Sequence, residues 1–271
     1  MSRLPTYYVS HGGGPWPWMR EQNGSRYDQL EASLQAMARE AGEQVRAVLV
    51  VTAHWETPSF MVSSAAQPGM LYDYYGFPPH TYQIHYRAPG SPALAQRVQA
   101  LLHAGGVEAG LDPERGFDHG TFSVMQATYP EARLPVVQLS LRADFDPAAH
   151  LAAGRLLAPL RDEGVLIIGS GLSYHNLRMF NASGALPSQQ FDAWLQTTLT
   201  ASTPAERDAL LTQWERAPSA RIAHAREDHL IPLMVAVGAA HDEAGTCVYH
   251  EDAFSGTLTT SSFRFGDAPA A

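Results

Sequence analysis

Two short stretches, AVLVVTA at residues 47–53 and LIIGSG at 166–171, carry apolar or small residues at nearly every position. They lack the apolar–polar alternation of a strand with one wet face, and so fit strands covered on both sides. A chain built on such strands must supply helices to cover them. Further strand-like runs lie near 6–10, 58–63 and 134–141. Helical segments come between. SPALAQRVQALLHAGG opens on a Ser91 cap with Pro92 at the first helical position, and stops at Gly105. DPAAHLAAGRLLAPLRDEG runs from Asp146 to Gly164, and TPAERDALLTQWERA pairs Thr203 with Glu206 three residues on, a capping box. TCVYHED and TLTTSSFRF read as two paired strands joined through AFSGT. With no repeat, low-complexity tract or linker, the expected fold is α/β: a single-domain sandwich over residues 1–271, with a central mixed sheet flanked by helices.

The stretch 66–92, AQPGMLYDYYGFPPHTYQIHYRAPGSP, has no sustained periodicity and is crowded with Pro, Gly and Tyr. It reads as a long ordered loop, and loops of this length in compact domains are usually functional. Its five tyrosines, Phe77, His80 and His85 either wall an aromatic-accepting pocket or pin the loop to the core.

Bulk properties remove several function classes. A composition of 45% apolar and 17% charged residues is that of a folded globular chain and excludes disorder. A net charge of −9 without a basic run excludes nucleic acid as an expected partner. The single cysteine, Cys247, excludes an intrachain disulfide framework and a cysteine-based zinc site. No apolar stretch approaches the roughly 18–20 residues needed to span a bilayer. The N-terminal apolar run is short for a signal peptide, so the expected location is the cytoplasm.

Histidine placement points to chemistry. Of twelve histidines, His103, His150, His224, His241 and His250 sit in helix or strand contexts without a supporting motif. Three others follow strand-like runs: His11 in TYYVSHGGG, His54 in AVLVVTAHWE and His175 in GSGLSYHNL. Ligands gather at the carboxyl ends of strands in open α/β sheets, where these three would meet. His119 in GFDHGTFSVM precedes a helix, and His229 in REDHLIPLMVAVGAA opens an apolar one. Several neutral imidazoles with nearby carboxylates suit a borderline metal, zinc or ferrous iron. No HExxH-type motif fixes which.

The motifs SHGGGP, VTAHWE, GFPPHTYQIHYRAPGSPALAQRV, GFDHGTFSVM, PVVQLSL, GSGLSYHNLR and DHLIPLMVAVGA occur in an order that resembles the class III extradiol ring-cleaving dioxygenases. The similarity is to their DOPA 4,5-dioxygenase-like subgroup and covers residues 6–264. It implies one α/β catalytic domain and a mononuclear divalent metal with His11 and His54 as ligands. Many members carry a glutamate at the third ligand position; here the match offers His229, with Asp228 as the alternative. Fe(II) is the metal expected for turnover, and an all-histidine set also accepts Zn(II). His175 matches the acid–base histidine and is a possible fourth ligand in the absence of substrate. His119 matches a second pocket histidine that would donate a hydrogen bond, its ring oriented by Asp118 or a backbone carbonyl.

The partners so implied are a small aromatic diol and O2, with Tyr82, His80 and Trp55 expected to contact the ring and Arg87 and Arg178 near the pocket motifs. Two other functions fit the same residues: a zinc-dependent hydrolase, and a non-enzymatic binding protein on the same fold. The oligomeric state has no signature in the sequence.

Overall fold

The computed structural model describes residues 3–268. Eight strands, β1 (Thr6–Ser10), β2 (Ala47–Thr57), β3 (Phe60–Ser63), β4 (Ala109–Asp112), β5 (Val136–Arg142), β6 (Val165–Gly171), β7 (Gly245–Phe254) and β8 (Leu258–Phe265), form one sheet. Its order is β4-β3-β5-β2-β6-β1-β8-β7. The central four, β5-β2-β6-β1, run parallel, while β8 pairs antiparallel with β1 and β7, so the sheet is mixed as expected. The helices among the described residues are α1 (Arg20–Asn23), α2 (Asp28–Ala41), α3 (Pro92–Ala104), α4 (His119–Thr128), α5 (Pro147–Leu157), α6 (Ala185–Thr200), α7 (Pro204–Thr212), α8 (Ala220–Ala223) and α9 (Ile231–Ala240).

Consecutive side chains of a strand point to opposite faces, and the central strands use both. In β1, Thr6 Oγ1 donates to Ala236 O of α9, while the next residue, Tyr7, donates to Glu40 of α2. In β6, Gly169 faces Pro232 of α9, and Ser170 Oγ donates to Gly120 O of α4. Helices therefore cover both faces, which is why Val48–Val51 and Leu166–Ile168 are fully buried.

Helix starts follow the caps. Ser91 Oγ accepts from Leu94 N, Asp146 Oδ1 accepts from Ala148 N, and Thr203 with Glu206 completes its capping box. Three boundaries differ from expectation. The segment expected to reach Gly164 as one helix ends at Leu157 and tightens into a 3-10 turn over Ala158–Arg161, because Pro159 lacks the N–H that would continue it. Strand β2 runs on through His54 to Thr57, its register with β5 shifting between Val51 and Glu56. His229 lies in the turn before α9 and not in its first turn.

Residues 64–91 form the long ordered loop, with only a 3-10 turn at Pro79–Tyr82 and a single bridge between Met70 and Phe117. Tyrosine hydroxyls fasten it: Tyr72 donates to Ile84 O, Tyr74 to Thr81 O and Tyr86 to Tyr129 O, at 2.7, 2.6 and 2.9 Å. No helix among the described residues is long and apolar enough to cross a membrane.

Two buried histidines away from the strand ends are expected to make the fold acid-sensitive. His150 is fully buried, with Nδ1 donating to Asp146 O and Nε2 accepting from the Arg142 N–H; burial lowers its pKa to about 4. Burial likewise lowers that of His224 to about 3. Below about pH 6.5 the unfolded chain takes up a proton at each site while the folded chain does not, so stability falls with pH at about 1.4 kcal/mol per unit per residue. The melting temperature is expected to hold near pH 7–8 and to drop steeply between pH 6.5 and 4. A His150→Gln variant, whose amide oxygen can still accept from Arg142 N–H, should show a shallower acid limb.

Candidate active site

Strands β2, β6 and β1 are neighbours and parallel, so their carboxyl ends share one edge of the sheet. His11 follows β1 directly, His54 stands in the irregular last part of β2, and His175 follows β6 by four residues. The turn after His11 needs its glycines. Gly12 and Gly14 have φ of +74° and +54°, and a Cβ on Gly12 would lie 2.5 Å from the Trp16 indole nitrogen.

His11, His54 and His229 bring one ring nitrogen each to within 4.8 Å of the others. The Nε2 atoms of His11 and His54 are 3.2 Å apart. The outer nitrogens fix the tautomers. His11 Nδ1 donates to Gly12 O at 2.7 Å and His229 Nδ1 to Asp228 Oδ2 at 2.9 Å, while His54 Nδ1 lies 3.3 Å from Asp73 Oδ2. Each Nδ1 carries the proton because its partner can only accept, and each Nε2 is left as a lone pair. Burial, reinforced by the neighbouring imidazoles, holds all three rings well below the usual histidine pKa and so neutral, the form that ligates a metal.

The residues fit a divalent cation on a second observation. His229 Nε2 is buried and has no hydrogen-bond partner, an arrangement that is costly unless something else satisfies it. Two nitrogens each about 2.1 Å from a common ion stand about 3 Å apart, close to the spacing of the His11–His54 pair. Asp228 faces the other side of His229, so the third-ligand position favours the imidazole, with the carboxylate as its anchor.

His229 is itself fixed through its carbonyl, which accepts from Tyr8 Oη at 2.8 Å and from Leu172 N at 3.1 Å. A Cβ on Gly171 would lie 2.1 Å from that carbonyl oxygen. Gly171→Ala is therefore expected to push His229 out of line, weakening metal affinity by about 10–100-fold and stability by about 1–3 kcal/mol. Competition against a chelator of known affinity measures the first, and urea unfolding the second.

His175 stacks on His229 with ring centroids 3.4 Å apart and planes 14° from parallel. Its ring nitrogen groups with Asp228 and His229, not with His11 and His54. Burial lowers its pKa despite the nearby Asp228, leaving it a free base at neutral pH. His119, the first residue of α4, lies with its ring centroid 3.9 Å from that of His54. Its Nδ1 donates to Asp73 Oδ2 at 3.0 Å, and its backbone N–H to Asp73 Oδ1 at 2.9 Å. Asp73 therefore orients the ring, in place of Asp118. Asp118 instead accepts from Thr121 N and Thr52 Oγ1 and pairs with Arg115, whose guanidinium also donates to His54 O. With Nδ1–H given to Asp73, neutral His119 presents Nε2 as an acceptor, so the donor role expected of it holds only for the protonated ring.

The histidines floor a cavity of about 820 Å³. Tyr27, Tyr74, Tyr75, Phe77, Phe180 and Phe254 line it, with Glu56, Asp73, Arg226 and Asp228. Tyr82, His80 and Trp55 are not among the lining residues, which corrects the expected substrate contacts. Tyr82 packs behind Tyr74 at 5.2 Å, His80 is exposed on the 3-10 turn, and Trp55 lies buried beneath the Arg115 guanidinium at 4.8 Å. The loop aromatics thus divide: Tyr72, Tyr82 and Tyr86 pin the loop, and Tyr74, Tyr75 and Phe77 form wall. Arg87 lines a separate groove beside His85, and Arg178 is exposed next to Leu177.

The family model described as the catalytic LigB subunit of aromatic ring-opening dioxygenase matches residues 5–266. The chain is 37% identical over 264 residues to a 4,5-DOPA dioxygenase extradiol of Beta vulgaris, covering 96% of both chains. It is 37% identical to the dioxygenase tasH of Hapsidospora irregularis over 90% of this chain and 80% of that one. A solved structure of an uncharacterized Escherichia coli K12 protein superimposes with a TM-score of 0.78 at 31% identity, covering 97% of this chain and all of the other.

Proposed function

The chain belongs to the LigB family of aromatic ring-opening dioxygenases, and from that premise we propose that it opens the ring of a catechol beside its two hydroxyls, adding both atoms of O2. The observation that carries this reading is the buried, unpartnered Nε2 of His229 facing the His11–His54 pair on the floor of an aromatic cavity. His11, His54 and His229 would hold one divalent ion. Ferrous iron bound there supplies Lewis acidity toward a diol and redox access to dioxygen.

The chain's own groups then handle the protons. Neutral His175 takes the proton of one diol hydroxyl on a ring nitrogen, and can return it as the ring opens. His119 Nε2 accepts a hydrogen bond from the second hydroxyl, with Asp73 fixing the ring. Tyr74 stands 6.1 Å from His119, ring centroid to centroid, and flanks the aromatic plane. Because the His175 ring is held by stacking on His229, with no hydrogen bond to either ring nitrogen among the described residues, both of its nitrogens stay available to substrate.

Anaerobic loading with Fe(II), followed by a catechol and air, tests the proposal. Oxygen uptake with a yellow ring-opened semialdehyde is expected, and the Zn(II)-loaded protein should consume none. Cleavage of an ester or amide by the zinc form, without oxygen uptake by the iron form, would establish a zinc hydrolase instead.

A further inference from the structure

We propose that the diol this cavity selects carries a bulky apolar substituent, an alkyl or aryl tail, and that a tail bearing a carboxylate is disfavoured. This rests on the ring-opening reading and narrows its substrate class.

Size is the first argument. The cavity holds about 820 Å³, near the top of the roughly 300–1,000 Å³ that encloses drug-sized ligands, so a single six-membered ring fills only part of it. Wall chemistry is the second. Above the histidines the lining is aromatic, with Tyr74 packed on Phe77 at 5.2 Å and Phe180 on Phe254 at 6.1 Å.

The third argument is the rim. Tyr75 and Leu177, 92% and 72% exposed, are the most exposed large hydrophobic residues among those described, and both line this cavity. Tyr75 comes from the loop after β3 and Leu177 from the turn after β6. A ligand tail leaving the floor between them would take both out of water, and each side chain so covered is worth about 10-fold or more in affinity.

Charge supplies the fourth. Every carboxylate and guanidinium lining the cavity is already engaged. Asp73 receives His54 and His119, Asp228 receives His229, and Arg226 grips Glu56 through two nitrogens while lying over the Phe145 ring at 4.8 Å. Arg226 is the one guanidinium in the lining, set against the three carboxylates Glu56, Asp73 and Asp228, so a tail carboxylate would have to take it from Glu56 or stay unpaired, which is costly.

The test compares catechol, DOPA and 4-phenylcatechol on the Fe(II)-loaded enzyme, by oxygen uptake and by anaerobic binding. The 4-phenylcatechol is expected to show a kcat/KM at least about 10-fold above that of the other two, with the gain in KM, and a correspondingly lower anaerobic Kd. Tyr75→Ser and Leu177→Ser should each reduce the KM advantage of 4-phenylcatechol over catechol several-fold. DOPA turned over more efficiently than 4-phenylcatechol overturns the tail assignment and leaves ring opening intact. Absence of oxygen uptake with every diol overturns the reaction, while the anaerobic affinities still decide the tail: equal Kd values for all three diols reject it.

Discussion

His229→Ala is expected to empty the metal site and to remove ring-opening turnover with it. The side chain places a buried lone pair opposite those of His11 and His54, and no other group satisfies that atom. If a four-ligand site binds zinc with about 10–16 kcal/mol, one ligand carries about 3 kcal/mol, so affinity should fall by about 10²–10³-fold. Metal per chain after dialysis, measured by elemental analysis, is the direct readout. Asp228→Asn provides the contrast. Its amide oxygen still accepts from His229 Nδ1, so the ion should stay, bound about 10–100-fold more weakly. A variant set in which loss of Asp228 empties the site and loss of His229 does not would make the carboxylate the ligand. His11→Ala and His54→Ala belong with His229→Ala, and full metal occupancy in either would break up the shared site.

The second large effect separates chemistry from ligation. His175→Ala should keep metal content within a few-fold of the parent while lowering kcat by about 10²–10⁴, the usual reach of an acid–base group. The ring lies flat on His229, so its removal takes away a packing partner as well as a base. His175→Gln restores much of the volume and should recover stability without recovering turnover. Metal loss equal to that of His229→Ala would make His175 a ligand first.

The covered strands and their flanking helices are legible in the sequence because burial on both faces removes alternation and because the caps at Ser91, Asp146 and Thr203 are local hydrogen bonds. His11 is legible for a similar reason: strand and glycine turn sit side by side in the chain. Asp73 is not. It stands 46 residues from His119, and only the folding of the aromatic loop over α4 brings the two together. A lone aspartate among tyrosines gives no local sign of that role, and Arg115, which holds the His54 carbonyl, is equally silent. Strand β4 is four residues, Ala-Gly-Leu-Asp, at the sheet edge, too short and too weak in β-formers to stand out. Tyr82 and Trp55 show the opposite error, since aromatic character marks them for a pocket while the loop's own packing and the Arg115 guanidinium claim them.

One oxygen of Asp73 lies within reach of both His54 and His119, and the two residues after it, Tyr74 and Tyr75, face the cavity. On the proposed reading, recognition and reactivity are thus yoked within three consecutive positions. Divergence toward new substrates through this loop is channelled to changes that leave the aspartate seated, and a library that varies 74–77 around a constant Asp73 should yield many more active clones than one that also varies it.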